Sequence, residues 1–110
     1  MVKFIFKYKK KKFNIDVCEC RTVFQKMSGL MFRKKSPALL FIFNKKNNSA
    51  IHSFFCVEFI TIWFNKGKII DIKLVKPWKI SIKPIGKFDK FLEIPSNKKD
   101  FNDIRLLIKK

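Results

Sequence analysis

Glycine occurs only three times in 110 residues, at Gly29, Gly67 and Gly86, and none stands in a Walker or dinucleotide-binding pattern. The backbone cradle that holds nucleotide phosphates is missing, which excludes nucleotide-dependent catalysis. A single histidine, His52, restricts any histidine-based general acid or base to that position. The three cysteines, Cys18, Cys20 and Cys56, are an odd number, and the one-residue gap in Cys18-Glu19-Cys20 fits neither a zinc knuckle nor a thioredoxin motif. Small buried thiols in a reducing cytosol are the expectation, with no metal and no cofactor. The most apolar stretch, residues 51–64, includes His52 and Glu58 and falls short of the ~20 residues that span a bilayer, so no transmembrane segment is expected. The N-terminal residues contain no uninterrupted apolar run of the kind a secretory signal needs, and a cytoplasmic location follows.

Acidic residues are also scarce: 8 Asp and Glu stand against 26 Lys and Arg, giving a net charge of +18. Such a chain attracts polyanions without any specific site, and nucleic acid is the obvious non-specific partner. Only Arg21, Arg33 and Arg105 are arginine, whereas bidentate recognition of phosphate or guanine favours arginine over lysine. Abundant Lys, Ile, Phe and Asn also match the codons of an A/T-rich genome, so composition alone can account for the charge. With 47% hydrophobic residues and 14 phenylalanines the chain is outside the disordered class, and residues 1–110 are expected to form one small domain.

Alternation of period two marks Phe4, Phe6 and Tyr8, then Phe13, Ile15 and Val17, as two strands joined by a Lys-rich turn. Val23, Phe24, Met27, Leu30 and Met31 recur at three and four residues and predict a short helix within about residues 21–31. Residues 39–43 read as an apolar strand and residues 44–49 as a polar loop. Residues 51–64 and 68–75 form a hairpin around Asn65-Lys66-Gly67, with Ile70, Ile72 and Leu74 alternating on the return strand. A short strand between Pro77 and Pro84 with Ile80 and Ile82 inward, another over residues 88–94, and a last one over residues 104–108 complete the reading. The predicted class is mainly β: a compact antiparallel barrel or sandwich with one short helix. Its core is expected to contain Phe41, Phe43, Phe54, Ile62, Ile70, Ile72, Leu74 and Leu92.

The block Ser28-Gly29-Leu30-Met31-Phe32-Arg33 resembles one found in the family known as domain of unknown function 192. Later blocks follow in the same order: Leu39-Leu40-Phe41-Ile42-Phe43, Ile51-His52-Ser53-Phe54-Phe55, Lys76-Pro77-Trp78, Phe91-Leu92-Glu93-Ile94-Pro95 and Asn102-Asp103, the Lys-Pro-Trp block being that of archaeal-type members. The resemblance covers about residues 13–108. It implies a compact β-rich domain with no established activity. One departure is Phe59-Ile60-Thr61, which stands where the family usually has Pro-Leu-Asp or Pro-Ile-Asp.

The resulting function is a non-catalytic binding or interaction module for a small molecule or protein, with Arg33, His52, Glu58, Trp78 and Glu93 as ligand-binding candidates. Arg33 closes an apolar block and needs a carboxylate, a set of carbonyls or a ligand anion. Glu58 and Glu93 are its candidate counter-charges, and Arg33 and His52 are expected to lie close together. Trp78 is flanked by Lys76, Lys79 and Lys83, a basic-aromatic set suited to phosphates and stacked bases, so a single-stranded nucleic-acid-binding barrel is the second reading. A small hydrolase using His52 and Glu58 is the third; Ser53, Cys56 and Thr61 lack a nucleophile elbow.

Overall fold

A computed structural model of the chain describes residues 2–20, 37–47, 51, 57–79 and 81–108. The helix expected over residues 21–31, together with Arg33, His52, Phe54, Cys56 and Ile80, lies outside the described residues. Six strands, β1 (Val2–Tyr8), β2 (Lys11–Cys20), β3 (Ala38–Asn47), β4 (Phe59–Asn65), β5 (Lys68–Val75) and β6 (Phe88–Pro95), form one sheet in the order β1-β2-β3-β6-β4-β5. One helix, α1 (Lys99–Ile108), follows β6. The mainly-β expectation holds, and the sheet is a curled half-barrel. β2 and β3 run parallel while the other neighbouring pairs are antiparallel. A parallel pair demands a crossover connection between the end of β2 and the start of β3.

The curl can be read from aromatic contacts. In the sheet order β1 and β4 are four strand spacings apart, about 19 Å across a flat sheet. Yet the rings of Phe4 and Phe64 lie edge to face at 5.2 Å, and those of Phe6 and Phe64 at 5.8 Å. The concave face therefore closes on itself. Its interior holds Phe6, Phe13, Ile15, Val17, Leu40, Ile60, Ile62, Phe64, Leu92 and Ile94, and Phe101 and Ile104 of α1 pack against it. The convex face carries a second cluster, Leu39, Phe41, Phe59, Trp63, Val75, Phe88 and Phe91. Strands buried on both faces need near-continuous apolar runs, which is why β4 reads Phe-Ile-Thr-Ile-Trp-Phe with little alternation.

Four local expectations are corrected. Residues 104–108 are helical, not a strand: Phe101 and Ile104 are buried one turn apart while Leu106 is 59% exposed, a spacing that a strand does not give. Residues 44–47 continue β3 instead of starting a loop. Between Pro77 and Pro84 the described residues form no strand, only an isolated bridge from Ile82 to Ile51. Finally, the ladder between β4 and β5 slips between Trp63 and Phe64, so that Trp63 faces Asp71 and Phe64 faces Ile69. The bulged Ile70 turns to the convex cluster, while Ile69, Ile72 and Leu74 pack on the concave one, and all four are only part-buried. Phe43 is also part-buried, whereas Phe41, Ile62 and Leu92 are buried as expected.

Both tight hairpins need positive φ at two central residues, and the chain meets that need differently in each. In the β4–β5 turn Lys66 and Gly67 have φ of 51° and 81°, with glycine where it costs least. In the β1–β2 turn Lys9 and Lys10 have φ of 49° and 67°. A left-handed conformation costs a residue with a Cβ roughly 1–2 kcal/mol, and the second turn meets it twice. Part of that is offset where Lys9 donates to the Leu107 carbonyl near the C-terminal end of α1, joining the turn to the helix.

Candidate functional site

Strand pairing places the end of β5, the start of β4 and the end of β6 together, since Phe59 faces both Val75 and Pro95. From this end the chain leaves β5 through Lys76-Pro77-Trp78. Proline at the second position suits both type I and type II turns, and it is the type II turn whose third position requires positive φ and so ordinarily takes glycine or asparagine. Here the third position is Trp78, at φ 66°, and it is 59% exposed. A large aromatic held in a strained conformation with much of its surface in water is poor economy for folding alone.

The turn is tied down on both sides. The Lys76 ammonium lies 2.7 Å from the Glu58 carboxylate, and the Ser96 N–H donates to the Glu58 carbonyl. Further along, the segment after Trp78 is pinned to β5. Asp71 accepts from the Ile72 N–H at 2.8 Å and from the Ile85 N–H at 3.1 Å, while Lys73 donates to the Lys83 carbonyl. The Lys73 ammonium also sits 5.9 Å from the centre of the Trp63 ring. Residues 81–87 are thereby held against the convex face, with Ile82 packed into its cluster. Lys79 and Lys83 are exposed on this segment.

A second polar group lies deeper on the convex face. Thr61 of β4 stands opposite Glu93 of β6, and Leu39 of β3 faces Glu93 from the other side. Thr61 is 0% and Glu93 5% exposed. Burial pushes the Glu93 carboxyl up to about 8, so at neutral pH it keeps its proton and can donate. Neither the Thr61 Oγ1 nor the neighbouring Trp63 Nε1 has a hydrogen-bond partner among the described residues. Thr61 is the position at which the family resemblance puts an aspartate. An aspartate there would set a second carboxyl beside Glu93.

Of the residues singled out in the sequence, Lys76, Trp78 and Glu58 are brought together at one end of the sheet. Glu93 sits about 10 Å along the strands from Glu58, counted from the pairing of Thr61 with Glu93. Arg33 and His52, and with them the separation between the two, lie outside the described residues. Asp71 and Lys73, which alternate with Ile70, Ile72 and Leu74 along β5, are not among the candidates the sequence singles out. The signal was their spacing: two residues apart on one strand, they share a face unless a bulge intervenes. Among the described residues there is no cluster of metal-ligating side chains and no helix long and apolar enough to cross a membrane. Cys20 is buried and Cys18 part-buried, and neither forms a disulfide.

A family model for domain of unknown function 192, described as "Uncharacterized ACR", matches residues 4–105. A UPF0127 protein of Pyrococcus furiosus is 31% identical over 78 residues, covering 67% of each chain. Among solved structures, a protein of unknown function from Novosphingobium aromaticivorans superimposes with a TM-score of 0.77 at 16% identity, over 92% of this chain and 78% of its own. A protein of Sinorhizobium meliloti described as a "putative transcription regulator" gives a TM-score of 0.73 at 16% identity, over 83% and 76%. At that level of identity the two structures share the fold.

Proposed function

The chain belongs to the uncharacterised family of domain of unknown function 192, and we propose that this member is a non-catalytic binding module that takes its ligand at the Lys76-Pro77-Trp78-Lys79 turn. The observation that carries the reading is Trp78, exposed and in a left-handed conformation on a turn braced by the Glu58–Lys76 ion pair. A ring presented in this way offers a flat apolar face to a planar or apolar ligand group, and the flanking ammonium groups of Lys79 and Lys83 favour an anionic one. Arg33 and His52 belong to the same proposal as further ligand contacts, with Glu93 as a deeper polar group. Glu58, engaged by Lys76, is better placed to hold the turn than to act as a general acid or base beside His52.

Native mass spectrometry of the purified protein tests this reading. A bound small molecule or peptide that is retained by the wild type and lost from Trp78→Ala, with the fold intact, is the expected result. Retention of the same molecule by Trp78→Ala would place the ligand elsewhere and overturn the reading.

A further inference from the structure

The convex side of the β1–β2 hairpin carries three cross-strand pairs in succession: Lys3 with Asp16, Ile5 with Asn14, and Lys7 with Lys12. The first is complementary, its charged atoms 2.8 Å apart. The last sets two lysines directly opposite each other, a like-charge pairing that opposes strand association. Beyond it the turn places Lys9 and Lys10 at positive φ, where asparagine and glycine are the favoured pair. Lys9 is used by α1 and Lys11 lies over the Phe13 ring at 5.3 Å. Lys7, Lys10 and Lys12 have no carboxylate partner among the described residues, and all three are exposed. The same ladder that matches charges at one end repels at the other, and strain and repulsion coincide at the tip. Local rules broken together, with only partial compensation through Lys9 and Lys11, are the mark of a site kept for something other than stability.

Strand directions locate this tip. β2 runs parallel to β3, and β3 and β4 are each antiparallel to β6, so the start of β2 and the start of β4 point to the same end of the sheet. That end also carries Trp78, and α1 begins there after Pro95. We propose that the hairpin tip, through Lys7, Lys10 and Lys12, grips the phosphodiester backbone of a single-stranded nucleic acid. The preference for a single strand rests on the Trp78 reading above, because an unpaired base can stack on a ring presented at the same end whereas a duplex keeps its bases stacked inside. Lysine suits the task as a point charge on phosphate and carries no base specificity.

The test is the salt dependence of binding to a fluorescent oligothymidine, between about 50 and 200 mM salt. The variant Lys7→Gln/Lys10→Gly/Lys12→Gln should lower the slope of log affinity against log salt by about 2, at roughly 0.7 per lost phosphate contact, without lowering the melting temperature. A charge-matched control, Lys46→Gln/Lys68→Gln/Lys87→Gln, lies at the opposite end of the sheet and should change the slope by less than about half as much. Trp78→Ala should cost about tenfold in affinity with the slope unchanged. Equal slope losses in both triple variants would show that only net charge matters and overturn the proposal. A hairpin variant that binds like wild type while Trp78→Ala fails would overturn the hairpin grip and leave the Trp78 reading standing. Binding to phosphatidylserine vesicles with none to oligothymidine, or tighter binding to duplex than to single strand, would overturn it as well.

Discussion

Raising the pH through the window from 4.5 to about 8 should weaken the fold progressively, by on the order of 4–5 kcal/mol across the whole window, and Glu93→Gln should flatten that fall. The cause is burial: the carboxyl in the folded chain is lifted to about 8, while in the unfolded chain it titrates near its ordinary 4.5. Within that window the folded state holds a proton that the unfolded state has released. Stability is therefore fully present below the lower bound and is lost as the pH rises towards the upper one. Asp16 acts in the other sense at lower pH, since hydrogen bonding to Lys3 lowers its pKa and its contribution fades as it is protonated. Urea denaturation of wild type and Glu93→Gln at several pH values reads both effects. A wild-type profile that is flat between pH 5 and 8, or a fall that survives Glu93→Gln, would show that the carboxyl is not held neutral by the sheet.

Phe64→Ala should cost about 3–5 kcal/mol, among the larger effects of any single truncation in the concave core. Phe64 is 1% exposed and is the ring on which the edge strand β1 closes, through Phe4 and Phe6. Its removal leaves a cavity at the point where the curl is held, so amide exchange in β1 should accelerate more than in the central strands. A double-mutant cycle between Phe4→Ala and Phe64→Ala should give a coupling of about 0.5–1.5 kcal/mol. Additive effects would mean that the two rings do not share the closure.

The parts of this fold legible in the sequence are those that local pattern determines. The β4–β5 hairpin follows from Asn65-Lys66-Gly67 and the alternation beside it, and β1 and β2 from their own periods. The parts that were not legible depend on partners distant in the chain. Ile70 shares the alternation of Ile72 and Leu74, and nothing local reveals that a bulge opposite Trp63 turns it to the other face. Residues 104–108 satisfy a period of two as well as a helical spacing, and packing of Phe101 and Ile104 against the sheet decides between them. The parallel pairing of β2 with β3 is likewise a property of the crossover.

The site divides in the same way. Trp78 and its lysines were visible as a basic-aromatic set, but the positive φ that makes the exposure costly appears only in three dimensions. Glu93 was named within an apolar block; that it is buried opposite Thr61 with its proton retained required the strand order. Asp71 and Lys73 looked like an ordinary solvent face: their spacing puts them on one side of β5, but that this side pins the segment after Trp78 appears only in three dimensions.

The central claim is that Trp78 is kept at the end of the sheet for contact with a ligand and not for the fold. Thermal unfolding of Trp78→Gly tests it most directly, because glycine relieves the left-handed strain of roughly 1–2 kcal/mol while removing the ring. The account predicts a melting temperature equal to or above that of the wild type. A variant destabilised by more than about 1 kcal/mol would contradict it, because the ring would then contribute more to the folded state than its strained conformation costs.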